Sequence, residues 1–174
     1  MPLFPHDPSG DTAMMETLLD ELDGSFTTVP PLVAAIRLVL AALLGGVIGW
    51  ERERRDKPAG LRTHMLVAIA ACLFIIVGAQ LGSMDFGNRD ALRIDPLRLI
   101  EAVTAGVAFL AAGLIFTAGD KVRNVTTGAS LWLAGAIGLA CGAGQMPLAL
   151  LATVIVVLVL GVIGWAERRW GKGD

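Results

Sequence analysis

The stretch GGVIGWERERRDKPAGLRT, residues 45–63, decides the fold. It begins as apolar as lipid and within a few residues becomes a knot of charge. Arg52, Arg54, Arg55, Lys57 and Arg62 crowd beside Glu51, Glu53 and Asp56. Upstream, the apolar part reaches back to Leu32. A run of that length crosses a hydrocarbon core of about 30 Å at about 1.5 Å per residue. Charge set hard against the end of such a run marks a helix leaving lipid on the cytoplasmic side.

Four more apolar segments follow: Met65–Leu81, Leu97–Ala118, Thr127–Ala143 and Leu148–Trp165. Pro30–Pro31, Pro96 and Pro147 stand at helix starts, where a missing N–H costs least. The 174 residues are 55% hydrophobic and 17% charged, too apolar for a soluble chain of this size. The expected fold class is all-α: a polytopic membrane helix bundle of five transmembrane helices over residues 32–166. An acidic N-terminal tail (1–31) precedes it and a short basic tail (167–174) follows. Within the acidic tail, Met14, Met15, Leu18, Leu19 and Leu22 recur at helical spacing. They predict a short amphipathic helix capped near Asp11 or Thr12 and stopped at Gly24.

Charge fixes the orientation. Arg52, Arg54, Arg55, Lys57, Arg62, Lys121, Arg123, Arg168, Arg169 and Lys172 fall on one side, ten cations against Arg89 and Arg93 on the other. The positive-inside rule puts the N-terminus out and the C-terminus in. GVIGW occurs at 46–50 and again at 161–165, each time before Glu and Arg. This reads as two helices leaving lipid the same way rather than as an internal repeat.

Helices in lipid associate by close packing, so small residues mark their contact faces. Gly45 and Gly49 mark span one. Gly106 and Gly113 mark span three, and Ser130, Ala134, Gly138 and Gly142 mark span four. Span five, with large apolar side chains, should face lipid more than the others do. Ionisable residues within spans are costly and draw attention. Arg37 and Glu101 each lie about five residues in from the outer end, roughly 7–8 Å deep. They read as an intramembrane ion pair, or as part of a substrate path with Thr104. Asp95 either caps its helix or pairs with Arg98. Thr126, Thr127 and Ser130 open span four beside Lys121 and Arg123, a setting for an anion or for plain helix capping. No metal-ligand spacing surrounds His6 or His64, and no Ser-His-Asp set or phosphate loop occurs. No catalytic residue, bound metal or cofactor is expected, and Cys72 and Cys141, inside apolar runs, build no disulfide framework.

Three blocks together resemble MgtC/SapB membrane proteins: residues 45–67, DPLRLIEAVTAGVAFLAAGLIF at 95–116, and VTTGASLWLAGAIGLACGAG at 125–144. The family pattern falls on Gly45, Gly49, Glu51, Arg52, Ala59, Gly60, Leu61, Arg62 and Thr63. In the second block it falls on Asp95, Pro96, Arg98, Gly106, Phe109, Leu110, Ala112 and Gly113, and in the third on Thr126, Thr127 and Trp132. Departures are Ala108 and Ala111 at usual Gly positions and Ala102 at a Gln position. Gly128 stands at an Ala position, and Asn124-Val125 replace Gly-Leu. The chain is similar to the short form that lacks a soluble domain after span five. The resemblance implies a bacterial inner-membrane protein tied to growth in low magnesium and, in pathogens, to survival inside host cells. For some members it implies contact with the proton-driven ATP synthase.

The expected function is therefore non-enzymatic, through helix–helix contacts. The expected partners are lipid, a second copy of the chain and another inner-membrane complex, with no nucleic acid. The rival reading is a small ion or solute transporter. The candidate site is the 51–62 segment, with Glu51 and Arg62 folded against Lys121–Thr127.

Overall fold

A computed structural model describes residues 8–24, 26, 28–83 and 95–170. Its helices are α1 (Pro8–Gly24), α2 (Pro31–Glu53), α3 (Leu61–Ser83), α4 (Pro96–Leu114), α5 (Val125–Gly142) and α6 (Met146–Trp170). A small hairpin, β1 (Phe116–Ala118) and β2 (Lys121–Arg123), joins α4 to α5. Helices α2 to α5 are long and apolar enough to cross a membrane. Helix α6 runs 25 residues, apolar over Met146–Val162 in its described part. Arg89, Arg93 and Lys172, used above for orientation, lie outside the described residues.

Helix α1 starts at Pro8, earlier than the expected Asp11 or Thr12 cap, because proline suits a first turn. It ends at Gly24 as expected, and Met14, Met15, Leu18 and Leu19 stand exposed. The third span was expected to reach Ala118 but stops at Leu114. Ile115 takes an extended backbone, and Gly119 turns the hairpin at φ +63°. A Gly-first two-residue loop favours the antiparallel ladder over one more helical turn.

Size is inverted relative to a soluble core. Ala41, Ala68, Ala71 and Ala134 are buried to within 1%, while Leu32, Leu66 and Phe109 are 66–81% exposed. Lipid solvates large apolar side chains as well as a core would, so small residues go where backbones must meet.

Helix α3 is the axis of the bundle. Gly45 and Gly49 of α2 press on one side of it, Gly138 and Gly142 of α5 on another. A Cβ on Gly45 would stand 2.7 Å from the His64 carbonyl oxygen, and one on Gly142 2.6 Å from that of Cys72. A Cβ on Gly138 would be driven into the Ala68 carbonyl. Matching residues run α2 antiparallel to α3 and α5 parallel to it, the order that alternating crossings require.

Helix α4 joins through Val103, Val107 and Ala111 alone among its fully buried residues. Buried positions make up 17% of its apolar window, against 56% for α5. Helix α6 seats through Ala149, Thr153 and Val156, with Ala152, Val157 and Leu160 partly buried beside them; it was expected to face lipid more than any other span, but among the described residues α4 is at least as open. Gly128 sits on Ala111: a Cβ there would lie 3.1 Å from the Ala111 carbonyl oxygen. Asn124 lies at φ +65°, a left-handed backbone that Gly and Asn adopt most readily. Its side chain donates to the Leu114 carbonyl (3.1 Å) and ties the two helix ends together.

The orientation yields a direct test. Cys72 and Cys141 have no exposed surface. In a Lys57→Cys variant a membrane-impermeant maleimide should label only inverted vesicles, not intact cells. Labelling of intact cells would reverse the topology.

Candidate functional site: a cationic groove at one end of the bundle

Helix α2 carries its charge past the apolar run, and α5 starts beside it. Arg52 is 3% exposed, and its Nη2 donates to Thr127 Oγ1 (2.8 Å). A buried guanidinium is tolerated only where its donors find acceptors. Its Nε finds no hydrogen-bond partner among the described residues. Arg55 forms an ion pair with Glu51 one turn back and reaches the Gly161 carbonyl of α6 (3.3 Å). Glu53 Oε2 accepts from the Leu61 N–H (2.7 Å), closing the 54–60 loop onto the start of α3.

Beneath Arg52 lies a second polar layer. His64 is fully buried; its Nδ1 donates to the Gly60 carbonyl (2.8 Å) and its Nε2 lies 3.1 Å from Ser130 Oγ. A carbonyl only accepts, so the neutral ring is protonated on Nδ1. The Ser130 hydroxyl also lies 2.9 Å from the Thr127 carbonyl, so one proton serves two acceptors. The layer locks α3 to α5 one turn below the Arg52–Thr127 bond.

Above this layer opens a groove of about 850 Å³ between the end of α2, the 54–57 turn, the start of α5 and α6. Arg52, Arg54, Arg55, Lys57 and Arg123 line it, with Asp56 the one acid among its lining residues. Thr126 and Thr127 form its floor at the first turn of α5, and Val159 and Leu160 its apolar wall. Further along α6, the Arg169 guanidinium lies 5.3 Å from the centre of the Trp165 ring.

The 51–62 segment therefore does meet the 121–127 region, through the expected Arg52, Arg123, Thr126 and Thr127 but not through Glu51, Arg62, Thr63 or Lys121. Arg62 and Thr63 are exposed and do not line the groove, and neither does Lys121. Glu51 is taken up by Arg55. Arg98 is exposed at the start of α4, at the opposite end of the bundle, where Asp95 caps the helix through the Leu97 N–H (2.9 Å) rather than pairing with it. Sequence reasoning passed over His64 because its partners lie 66 residues away or on its own turn.

The expected Arg37–Glu101 ion pair is not formed. Arg37 Nη1 donates instead to the Gly142 carbonyl (2.8 Å). Ala143, Gly144 and Gln145 N–H groups meet the carbonyls of Leu139, Cys141 and Ala140. Arg37 thus completes the last four acceptors of α5, with Gly144 at φ +80° as the cap. A cation is also favoured at that end of the helix dipole. Glu101 is exposed on α4, and the Thr104 hydroxyl bonds back to Ile100 (2.8 Å). Arg37, Glu101 and Thr104 therefore line no common path. Gly106 and Gly113 likewise meet nothing within 4 Å, unlike the other glycines named for packing. Among the described residues no three His, Cys, Asp or Glu side chains gather to hold a metal ion.

Fold and site together define a multi-pass helical membrane protein, glycine-packed, with a cationic groove at one end. The chain belongs to the MgtC family, whose model matches residues 38–169. It is 41% identical over 127 residues to a protein of Escherichia coli K12 named "Putative magnesium transporter YhiD", covering 73% of this chain and 59% of that one. It is 41% identical over 119 residues to Protein MgtC of Brucella abortus, 68% of this chain and 46% of the relative. Protein SrpB of Synechococcus elongatus is 37% identical over 153 residues, 79% of this chain and 82% of that one. The chain thus spans about half the length of the first two relatives. No solved structure matches it.

Proposed function

We propose that this chain acts without catalysis, in the bacterial inner membrane, by docking a second membrane protein against the outward face of α4. Family membership and a relative's name support a role in magnesium or ion homeostasis. The observation that carries the docking reading is the face itself. Glu101, Ala102, Ala105, Ala112 and Gly113 lie on one side of α4 around Phe109, which is 81% exposed. At about 100° per residue this side is opposite Val103, Val107 and Ala111, which seat the helix. Small residues around one large one form a surface that another helix can approach closely. A carboxylate turned outward some 7 Å inside the span has no partner among the described residues and calls for one from outside. The first partner is a second copy; a complex such as the ATP synthase is the other.

Because a Cβ on Gly106 would meet nothing within 4 Å, at the edge of an open apolar groove beside Val67, Ala71 and Phe74 of α3, a larger side chain there has room without parting the helices. Gly106→Leu should insert and melt like the native chain while losing cross-linked dimer and any co-purified complex. Unchanged capture would sink the proposal. Magnesium flux into liposomes holding this chain alone, lost in Glu101→Gln, would replace docking with transport.

A further inference from the structure

The cytoplasmic groove is at the other end of the molecule from Glu101, and its chemistry is independent of the α4 face. Four cations converge on it that form no ion pair among the described residues, Arg52, Arg54, Lys57 and Arg123; Arg55 is paired with Glu51. Asp56 is the one acid among the lining residues. Arg52 is the informative member. It is 3% exposed, held by Thr127 on one nitrogen, and among the described residues unpartnered at Nε. Burying a cation with a donor unmet is costly, and the cost falls when an anion enters the space beside it.

The floor adds to this. Asn124 is the N-cap of α5 but makes no side-chain capping bond. The first intrahelical backbone donor is Gly128, to the Asn124 carbonyl (2.9 Å). The N–H groups of Val125, Thr126 and Thr127 precede it at the positive end of the helix dipole. Donors in that arrangement suit a tetrahedral oxyanion better than a flat carboxylate, because they approach from the floor while the cations approach from the rim. Val159 and Leu160 extend the wall toward lipid, and Val159 is 50% exposed. An anion with an apolar substituent would find both halves of its surface matched.

We propose that this groove binds a phosphate group, seated among Arg52, Arg54, Lys57, Arg123 and the first turn of α5. The group is borne by an anionic phospholipid or is free phosphate; the chemistry at the site is the same. Arg52 and the α5 amides hold the oxyanion, and the exposed Arg54 and Lys57 close over it.

The test uses the full chain in phosphatidylcholine nanodiscs, with or without phosphatidylglycerol, followed by thermal unfolding and by native mass spectrometry for retained lipid. Phosphatidylglycerol should raise the midpoint and remain bound. Removing Arg54 and Lys57 together (R54Q/K57Q) should weaken retention about 25-fold, at about fivefold per cation near the membrane surface. Both side chains are exposed, so the fold is spared. The pair R62Q/K121Q removes two cytoplasmic cations outside the groove and should leave retention close to native. If inorganic phosphate protects equally in phosphatidylcholine alone, and R54Q/K57Q abolishes that, the occupant is free phosphate. The proposal is overturned if neither lipid nor phosphate stabilises the native chain. It is equally overturned if R62Q/K121Q loses as much as R54Q/K57Q, since attraction would then be diffuse.

Discussion

Gly138→Ala will unfold the bundle at a markedly lower temperature, by about 3 kcal/mol of stability. The expectation runs against propensity, since alanine in place of a helical glycine ordinarily adds roughly 1 kcal/mol. Here the added methyl meets the Ala68 carbonyl, a backbone atom of a helix already pressed by Gly45 from another side. No rotamer change relieves it; α3 and α5 must separate, and overpacking of this kind costs about 1–3 kcal/mol or more. Loosening that contact also strains the Gly142–Cys72 approach one turn on. Gly113→Ala on α4 is the matched control, with nothing within 4 Å, and should be neutral or slightly stabilising. Reversible unfolding in mild detergent measures both. Equal midpoints for Gly138→Ala and the native chain would show that α3 and α5 do not touch as described. Gly138 accordingly reports on the fold of one chain, and Gly106 is the position that reports on a partner.

His64→Ala should cost a similar amount, about 3 kcal/mol, for a different reason. It removes a fully buried ring and leaves a cavity between α3 and α5. The Ser130 hydroxyl loses one of its two neighbours, and the Gly60 carbonyl loses the imidazole donor. Ser130→Ala alone should cost about 1 kcal/mol, the size of one hydrogen bond. A double-mutant cycle between the two should return a coupling of about 1 kcal/mol. Additive losses would mean that ring and hydroxyl do not interact. A nitrogen NMR spectrum of the ring should show the tautomer protonated on Nδ1, because that nitrogen faces a carbonyl.

Both predictions rest on contacts between residues far apart in the chain, and that separates what was legible from what was not. Apolar runs ending in Arg and Lys announce membrane helices because lipid and charge exclude each other over a few ångströms, whatever the tertiary arrangement. The small-residue spacing at Gly45, Gly49, Gly138 and Gly142 likewise marked real contact faces. The same spacing at Gly106 and Gly113 marked a face that this chain leaves open, and no local pattern distinguishes a used face from a free one. Arg37 and Glu101 share a depth, and depth alone suggested a pair. Which way each side chain turns around its helix depends on the neighbours that claim it. Arg37 is claimed by the carbonyl ending α5.

The amino-acid sequence by itself determined that the chain crosses lipid repeatedly, which end of each crossing holds the cations, and which family it joins. Those properties follow from transfer free energies and charge, summed along the chain. Only the tertiary structure decided that Arg52 rather than Arg62 faces α5, that His64 bonds Ser130, and that Arg52, Arg54, Lys57 and Arg123 share one groove. Such facts are set by how helices rotate and approach one another. The contacts that fix the rotation pair residues 66 and 75 positions apart, beyond the reach of any local periodicity.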